Sequence, residues 1–364
     1  MNLNVLHKSK VFLGGLSILI VLGTLLAACT PSDQPLTPSA IPQATLTGSE
    51  PSRTATVRPS STPTPPPLGS VGNPIILGFV LTPEDSTAIE AAEDLAFLLS
   101  EDTEYAVEYA VYPDFQSLAS GVVDGNVHLM WLAPFEYLYL ESLGIVDILL
   151  MTNHLGVYSY GVQFLANQQH GFRPYFDAQT NQSTSDHITA LQQFAGTRPC
   201  FLHPDSIPGY FVPLGLLANA STPTLDPVFA YSYDAIIRAL YIQEICDFGV
   251  SYALIGDPLN SSDILQNLPD AQSQVEIIWQ TGGIIPNTNL SASRQLPLNI
   301  RFLFQESMLK LSNDPVTLSL LSSALSYDVA SLREENNSFY DALRSAIIPL
   351  ELDLSTLTQK PAEQ

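Results

Sequence analysis

From Asn73 onward the chain alternates unbroken apolar runs with segments of helical periodicity, and this alternation restricts the fold more than any other feature. Pro74-Ile75-Ile76-Leu77-Gly78-Phe79-Val80-Leu81 reads as a strand buried on both faces. An amphipathic helix over 84–100 follows, with Ile89, Ala92, Leu95, Leu98 and Leu99 inward. Strands are expected at 106–112 and 127–132, with helices at 115–122 and opening at Pro134. Continuous apolar strands between helices specify a parallel sheet covered on both faces, hence an α/β lobe. A strand at 159–166 leaves this lobe, and a second alternation begins: strand 198–202, helix 209–218, strand 228–231, helix 234–242, strand 248–255. A strand at 275–279 is expected to return to the first lobe, followed by a helical C-terminal third with helices at 298–311, 315–325 and 339–348. Two lobes joined by two crossing strands enclose a cleft above a hinge, expected near Gln163 and Trp279. The boundaries so read are lobe one at 73–160 and 277–364, with lobe two at 161–276. About 290 residues follow residue 73, more than one core usually serves.

The region ahead of Asn73 has a different character. Lys8 and Lys10 precede the apolar stretch 11–25, which ends in Leu26-Ala27-Ala28-Cys29. The stretch is short and wrongly flanked for a transmembrane span and suits a cleavable signal peptide over 1–28 better than the alternative, an uncleaved anchor helix with an incidental cysteine. Leu-Ala-Ala-Cys resembles a bacterial lipobox, which implies a diacylglycerol on the Cys29 thiol and an extracytoplasmic location for all that follows. Residues 29–72, rich in Pro, Ser and Thr, lack apolar periodicity and read as a disordered tether. Its reach is on the order of 35 Å.

The formal charge is −23, and loss of Lys8 and Lys10 with the leader takes it to −25. Only Lys310 and Lys360 remain as lysines. Such a surface excludes nucleic acid as a partner, because phosphate-backbone affinity needs clustered cations. A small anion is not excluded, since helix N-termini bind anions through backbone N–H groups. Cys200 and Cys246 remain after Cys29 is used, either as a disulfide or as two buried thiols. His154, His170, His187 and His203 have no metal-ligand spacing, so neither metal nor cofactor is expected.

The strongest local signal is His203-Pro204-Asp205-Ser206-Ile207-Pro208-Gly209-Tyr210, between a buried strand and an amphipathic helix. Ser206 can cap that helix while its first N–H groups face the cleft, or it can be an ordinary cap with no ligand. Phe115, Trp131, Phe135 and Tyr210 are either core or the wall of an apolar pocket. Asp85, Glu90, Glu93 and Asp94 read as a solvated helix face.

Several segments, in this order and spacing, carry a family resemblance: Met130-Trp131-Leu132-Ala133-Pro134-Phe135-Glu136-Tyr137, the block 196–213, Ala230-Tyr231-Ser232-Tyr233-Asp234-Ala235, Asp247-Phe248-Gly249 and Ile285-Pro286-Asn287. The chain resembles the phosphate, phosphite and phosphonate-binding lipoproteins of ABC importers. That resemblance implies a two-lobed type II periplasmic-binding fold with a hinge of two crossing strands. It also implies a monomer with no catalytic residues, whose partners are a small ligand and a permease. In the family a Ser-Thr-Ser-Gly turn cradles the oxyanion; Ser206 and Gly209 match its ends, but Ile207 and Pro208 do not match its middle. Tyr137 matches a tyrosine that reaches the ligand, Phe115 stands where a second tyrosine is expected, and Tyr233 replaces a histidine beside Asp234. Asp247 completes the set of residues carried over. By the same topology Cys200 lies on the first strand of lobe two, and Cys246 enters its neighbour.

The reading is therefore a lipid-anchored solute-binding protein for a small, phosphonate-like ligand. Two other classes fit less well. A degenerate member acting as a sensor or interaction module is suggested by the altered turn. An extracellular hydrolase would need a base near Ser206, and that serine lies in no Gly-x-Ser-x-Gly elbow.

Overall fold

The computed structural model describes residues 65–253, 268 and 270–358; the expected leader, Cys29 and the tether up to residue 64 lie outside the described residues. Within the compact unit Pro63–Gln364, the last residues assigned to the tether are in fact docked. Gly69 N–H donates to the Asn73 carbonyl at 2.7 Å, and Ala106 N–H donates to the Gly69 carbonyl at 2.8 Å.

The first lobe begins with β1 (Ile75–Val80), α1 (Ser86–Thr103), β2 (Val107–Tyr112), α2 (Phe115–Val123), β3 (Leu129–Leu132), α3 (Pro134–Ser142) and β4 (Val146–Asn153). Helix starts are set by side chains that satisfy free N–H groups: Asp85 accepts from Ala88 N–H at 3.1 Å, and Asp114 from Ser117 N–H at 2.8 Å. The second lobe holds β5 (Ser159–Asn167), the short hairpin β6 (Phe176–Asp177) and β7 (Gln182–Ser183), α4 (His187–Leu191) and β8 (Pro199–Phe201). It continues through α5 (Val212–Asn219), β9 (Val228–Phe229), α6 (Tyr233–Ile242), β10 (Phe248–Ala253), α7 (Ala271–Gln274) and β11 (Val275–Gln280). The chain returns through β12 (Ile285–Pro286), β13 (Asn289–Ser293), α8 (Leu298–Leu311), α9 (Pro315–Leu325), β14 (Ser331–Glu334), α10 (Asp341–Ile347) and α11 (Leu354–Leu357).

Sheet one runs β14-β4-β13-β3-β1-β2, and sheet two runs β11-β5-β10-β8-β9. Strands β1, β2 and β3 are parallel, as their apolar runs require, whereas β13 and β14 pair antiparallel. Three strands of sheet one, β4, β13 and β14, are additional to those expected from the sequence. The C-terminal third is therefore not purely helical.

The expected return of 275–279 to lobe one is corrected. Strand β11 pairs with β5 from Val275↔Asn167 to Gln280↔Gln163 and so stays in sheet two. The crossing comes later, where Ile285 and Pro286 pair with Tyr160 and Ser159. Asn287 stitches this crossing to β4 and to the turn that leads out into β5, donating through Nδ2 to the carbonyls of Thr152 (3.2 Å) and Val157 (2.7 Å). Gly161 allows the strands to touch, since a Cβ there would lie 2.6 Å from the Gly282 carbonyl oxygen.

Of the two readings open for the remaining cysteines, the structure has the disulfide: Cys200 and Cys246 are bonded with Cα atoms 5.7 Å apart. It ties β8, the strand that leads into the loop before α5, to the entry of β10. Replacing both cysteines with alanine should lower unfolding stability by about 2–4 kcal/mol, read as a shifted urea midpoint. Unchanged stability would show that the surrounding packing alone holds this corner.

Packing between α5 and α10 is tight enough to need a glycine. A Cβ on Gly215 would sit 2.0 Å from the Ala346 carbonyl oxygen, a backbone atom. Gly215→Ala should therefore cost about 1–3 kcal/mol through overpacking. Gly282→Ala, where nothing lies within 4 Å, serves as the control, and equal urea midpoints for the two variants would contradict this account.

Candidate functional site

A cavity of about 780 Å³ opens between the lobes, beside the crossing strands. Its lobe-one wall is the start of α3, where Pro134 occupies the first turn and needs no N–H partner. Glu136 reaches back so that Ala133 N–H donates to its Oε2 at 2.8 Å, half of a capping box. The opposite wall is the loop from β8 into α5, which enters the helix through a π turn over Ile207–Phe211. Ser206 is buried there and accepts the Gly209 N–H on its Oγ at 2.9 Å, leaving the hydroxyl proton free to donate. Phe135 and Phe211 meet across the cleft with ring centroids 5.6 Å apart.

Tyrosines form much of the remaining surface. Tyr233 at the start of α6 and Tyr252 in β10 meet edge to face, 5.2 Å apart at 76°. Tyr160 comes from the crossing strand, and Tyr327 stacks on His154 at 4.2 Å. Burial pushes the Tyr160 phenol up to about 12. It also raises Tyr233, where nearby Tyr160 adds to the effect and the Ser206 hydroxyl opposes it. Tyr327 and Tyr252 are raised mainly by burial as well. All four phenols therefore remain protonated donors at neutral pH.

Glu136 is the unusual group. Desolvation pushes its carboxyl up to about 7, against the stabilising N–H of Ala133. Among the described residues lining the cavity none is lysine or arginine. The described residues also hold no group of three or more His, Cys, Asp or Glu able to bind a metal ion.

The site residues expected from sequence divide into two groups. Ser206 and Tyr233 line the cavity together. Gly209 lies behind the wall: its N–H is taken by Ser206, and a Cβ there would come 2.4 Å from Leu202 Cβ, so it serves loop packing rather than ligand approach. Tyr137 is corrected. It is fully buried on another face of α3, donating to Asn337 Oδ1 at 3.1 Å and packing on Tyr340 at 4.3 Å. Phe115 is buried in the core against Tyr139. Asp234 is off the wall, although its charge raises the Tyr252 phenol. Asp247 precedes β10 at the strand end away from Tyr252 and accepts the Arg198 N–H at 2.7 Å. Of the aromatic candidates only Phe135 reaches the cavity. Sequence reasoning missed Glu136, Tyr160, Tyr252 and Tyr327; only Glu136 carried a usable signal, a carboxylate at the third position after a Pro-initiated helix start.

Two α/β lobes hinged by crossing strands, with a cavity at the hinge, define a type II periplasmic-binding fold. The chain belongs to the family described as ABC transporter, phosphonate, periplasmic substrate-binding protein, whose model matches residues 77–335. A curated relative is the phosphate-import protein PhnD of Mycolicibacterium smegmatis, 22% identical over 209 residues. That match covers 54% of this chain and only 60% of the relative's length. Among solved structures, XAC2383 from Xanthomonas citri bound to chloride is 15% identical with a TM-score of 0.52, covering 78% of this chain and 98% of that one. The same protein bound to ATP gives 14% identity and a TM-score of 0.50, covering 78% of this chain and 99% of the other. At such identity the likeness shows the fold.

The Glu136 shift has a measurable consequence for stability. The folded chain holds this proton up to about pH 7, while the unfolded carboxyl releases it near 4.5. The resulting stabilisation is complete below pH 4.5 and is lost as pH rises through 7. It amounts to at most about 3 kcal/mol, less where cleft water solvates the carboxylate. Glu136→Gln should match wild type near pH 4 and exceed it in stability by pH 8, as judged from urea midpoints across that range. Parallel curves would mean that the carboxyl is well solvated.

Proposed function

We propose that this protein is a lipid-anchored extracytoplasmic solute-binding protein that holds a small ligand in the interlobe cavity and delivers it to the permease of an ABC importer. The single observation that carries the reading is the position of the cavity: it lies at the crossing strands and is lined from both lobes, so an occupant stabilises their closed arrangement. Family membership supports the same reading. The protein works as a monomer and performs no chemistry of its own; transport energy comes from ATP hydrolysis at the partner.

The anchor is the Cys29 thiol, which lies outside the described residues; among the described residues no helix is long and apolar enough to cross a membrane. Cys29→Ser should release the chain from the membrane fraction and remove an acyl mass from it without lowering the thermal midpoint. A variant that stays membrane-bound would sink the lipobox reading.

A phosphonate is the ligand that the family description suggests. This cavity would hold one weakly. Pro208 has no N–H to offer, the Gly209 N–H is spent on Ser206, and the lining residues bring no guanidinium or ammonium group. A thermal-shift panel of phosphate, methylphosphonate, sulfonates, amines and neutral solutes on the full chain tests the binding reading. At least one class should raise the midpoint, and Ser206→Ala or Tyr233→Phe should reduce the shift. If no class stabilises the chain, it is not a solute-binding protein of this kind.

A further inference from the structure

The cavity contains a carboxyl without a counter-charge. Glu136 Oε2 accepts one backbone N–H, and no side-chain cation contributes to the shift of this group. Burying a carboxylate this way is unfavourable unless a cation or several donors meet it. The second carboxyl on the wall is Asp205, from the facing loop. Around them stand the rings of Tyr160, Tyr233, Tyr252 and Tyr327. The Tyr233 and Tyr252 rings meet almost at right angles, as two walls of a corner. The buried Tyr233 hydroxyl, moreover, makes no hydrogen bond of good geometry among the described residues.

We propose that the cleft takes an organic ammonium ion, with Glu136 as its counter-charge and the tyrosine rings as its walls. This rests on the reading of the cavity as the ligand site and names the class of ligand it takes. An anion is disfavoured here: it would enter a cavity whose wall carries the Glu136 carboxyl, the exposed Asp205 carboxyl at its rim and two imidazoles, His154 and His203, but no lysine or arginine. A cation meets the opposite field. The negative face of a tyrosine ring attracts it, more strongly when water is displaced. It also supplies the charge that Glu136 lacks, so the carboxylate form becomes favourable once the ligand is in place. The chain as a whole helps, since a formal charge of −23 raises the local concentration of cations.

A plain structural role for Glu136, capping α3, is the competing account, and glutamine separates the two. Glutamine keeps an oxygen that accepts the Ala133 N–H and removes only the charge. The test is calorimetry on the full chain with choline and ethanolamine as ammonium probes, 3,3-dimethylbutanol as the neutral isostere of choline, and methylphosphonate as the anion. At least one ammonium probe should bind tenfold or more tightly than the neutral isostere and than methylphosphonate. Glu136→Gln should weaken that binding at least tenfold while the thermal midpoint of the free protein is maintained or raised. Equal binding to wild type and Glu136→Gln would overturn the proposal, as would the failure of both ammonium probes to bind. Tight methylphosphonate binding that Ser206→Ala weakens would overturn it too, yet would leave the solute-binding reading standing.

Discussion

The contact on which the rest of the molecule depends is the crossing of two chain segments at β5. This strand pairs with β10 and β11 inside lobe two, while its first residues pair with β12 on the way back to lobe one. One strand thus serves both as an inner strand of a sheet and as part of the hinge. The requirement is steric: at Gly161 the returning backbone passes so close that no side chain fits. Thr281 completes the junction, accepting the Val162 N–H on Oγ1 at 2.9 Å. Because the cavity lies against this crossing, Tyr160 and Asn287 are hinge residues and cavity-wall residues at once. A ligand touching them bears directly on the angle between the lobes.

Electrostatically the cleft is set by what surrounds it rather than by one paired charge. Four phenols with raised pKa values, the partly buried carboxyl of Glu136 and the imidazoles of His154 and His203 produce a wall that offers hydrogen bonds but no lysine or arginine. The loop into α5 illustrates why. In a turn with several hydroxyls, successive side chains and amides can all point at one anion. Here Ser206 caps the helix, Pro208 has no proton, and Ile207 is apolar. A loop of this composition offers an oxyanion few donors.

Much of the architecture was legible in the sequence because strands buried on both faces leave unbroken apolar runs, as in Ile75–Val80 and Leu129–Leu132. What escaped has physical causes. Strand β13 reads Asn-Leu-Ser-Ala-Ser and looks like a loop, yet it is wholly buried. Its polar groups are satisfied internally: Asn289 Nδ2 donates to the Tyr340 hydroxyl at 2.7 Å and Ser291 Oγ to Asn289 Oδ1 at 2.6 Å. Such pairing depends on residues distant in sequence, so no local pattern announces it. Tyr137 fails differently. Adjacent residues on a helix point about 100° apart, so Glu136 enters the cavity while Tyr137 turns toward the C-terminal segment. Ser206 and Tyr233 were legible as cavity-lining candidates because a helix start fixes where its first side chains point. Tyr160 and Tyr327 reach the same cavity from segments with no such marker.

The C-terminal segment adds a restraint that two crossing strands alone do not supply. Helix α10 packs against α5 of lobe two, and α11 then packs back on α3 of lobe one. Asn219 Nδ2 fastens the first contact to the Ser345 carbonyl at 3.2 Å. Leu357 and Thr358, at the end of this path, stand on the cavity wall. A rotation of lobe two about the crossing strands therefore carries α5 with it and pulls on α10, and through it on residues that touch the ligand space. Tight packing at Gly215 makes that coupling stiff, since closely packed elements shift between discrete arrangements rather than deform smoothly. Any opening of the cleft would have to shift these C-terminal contacts as well as the hinge itself.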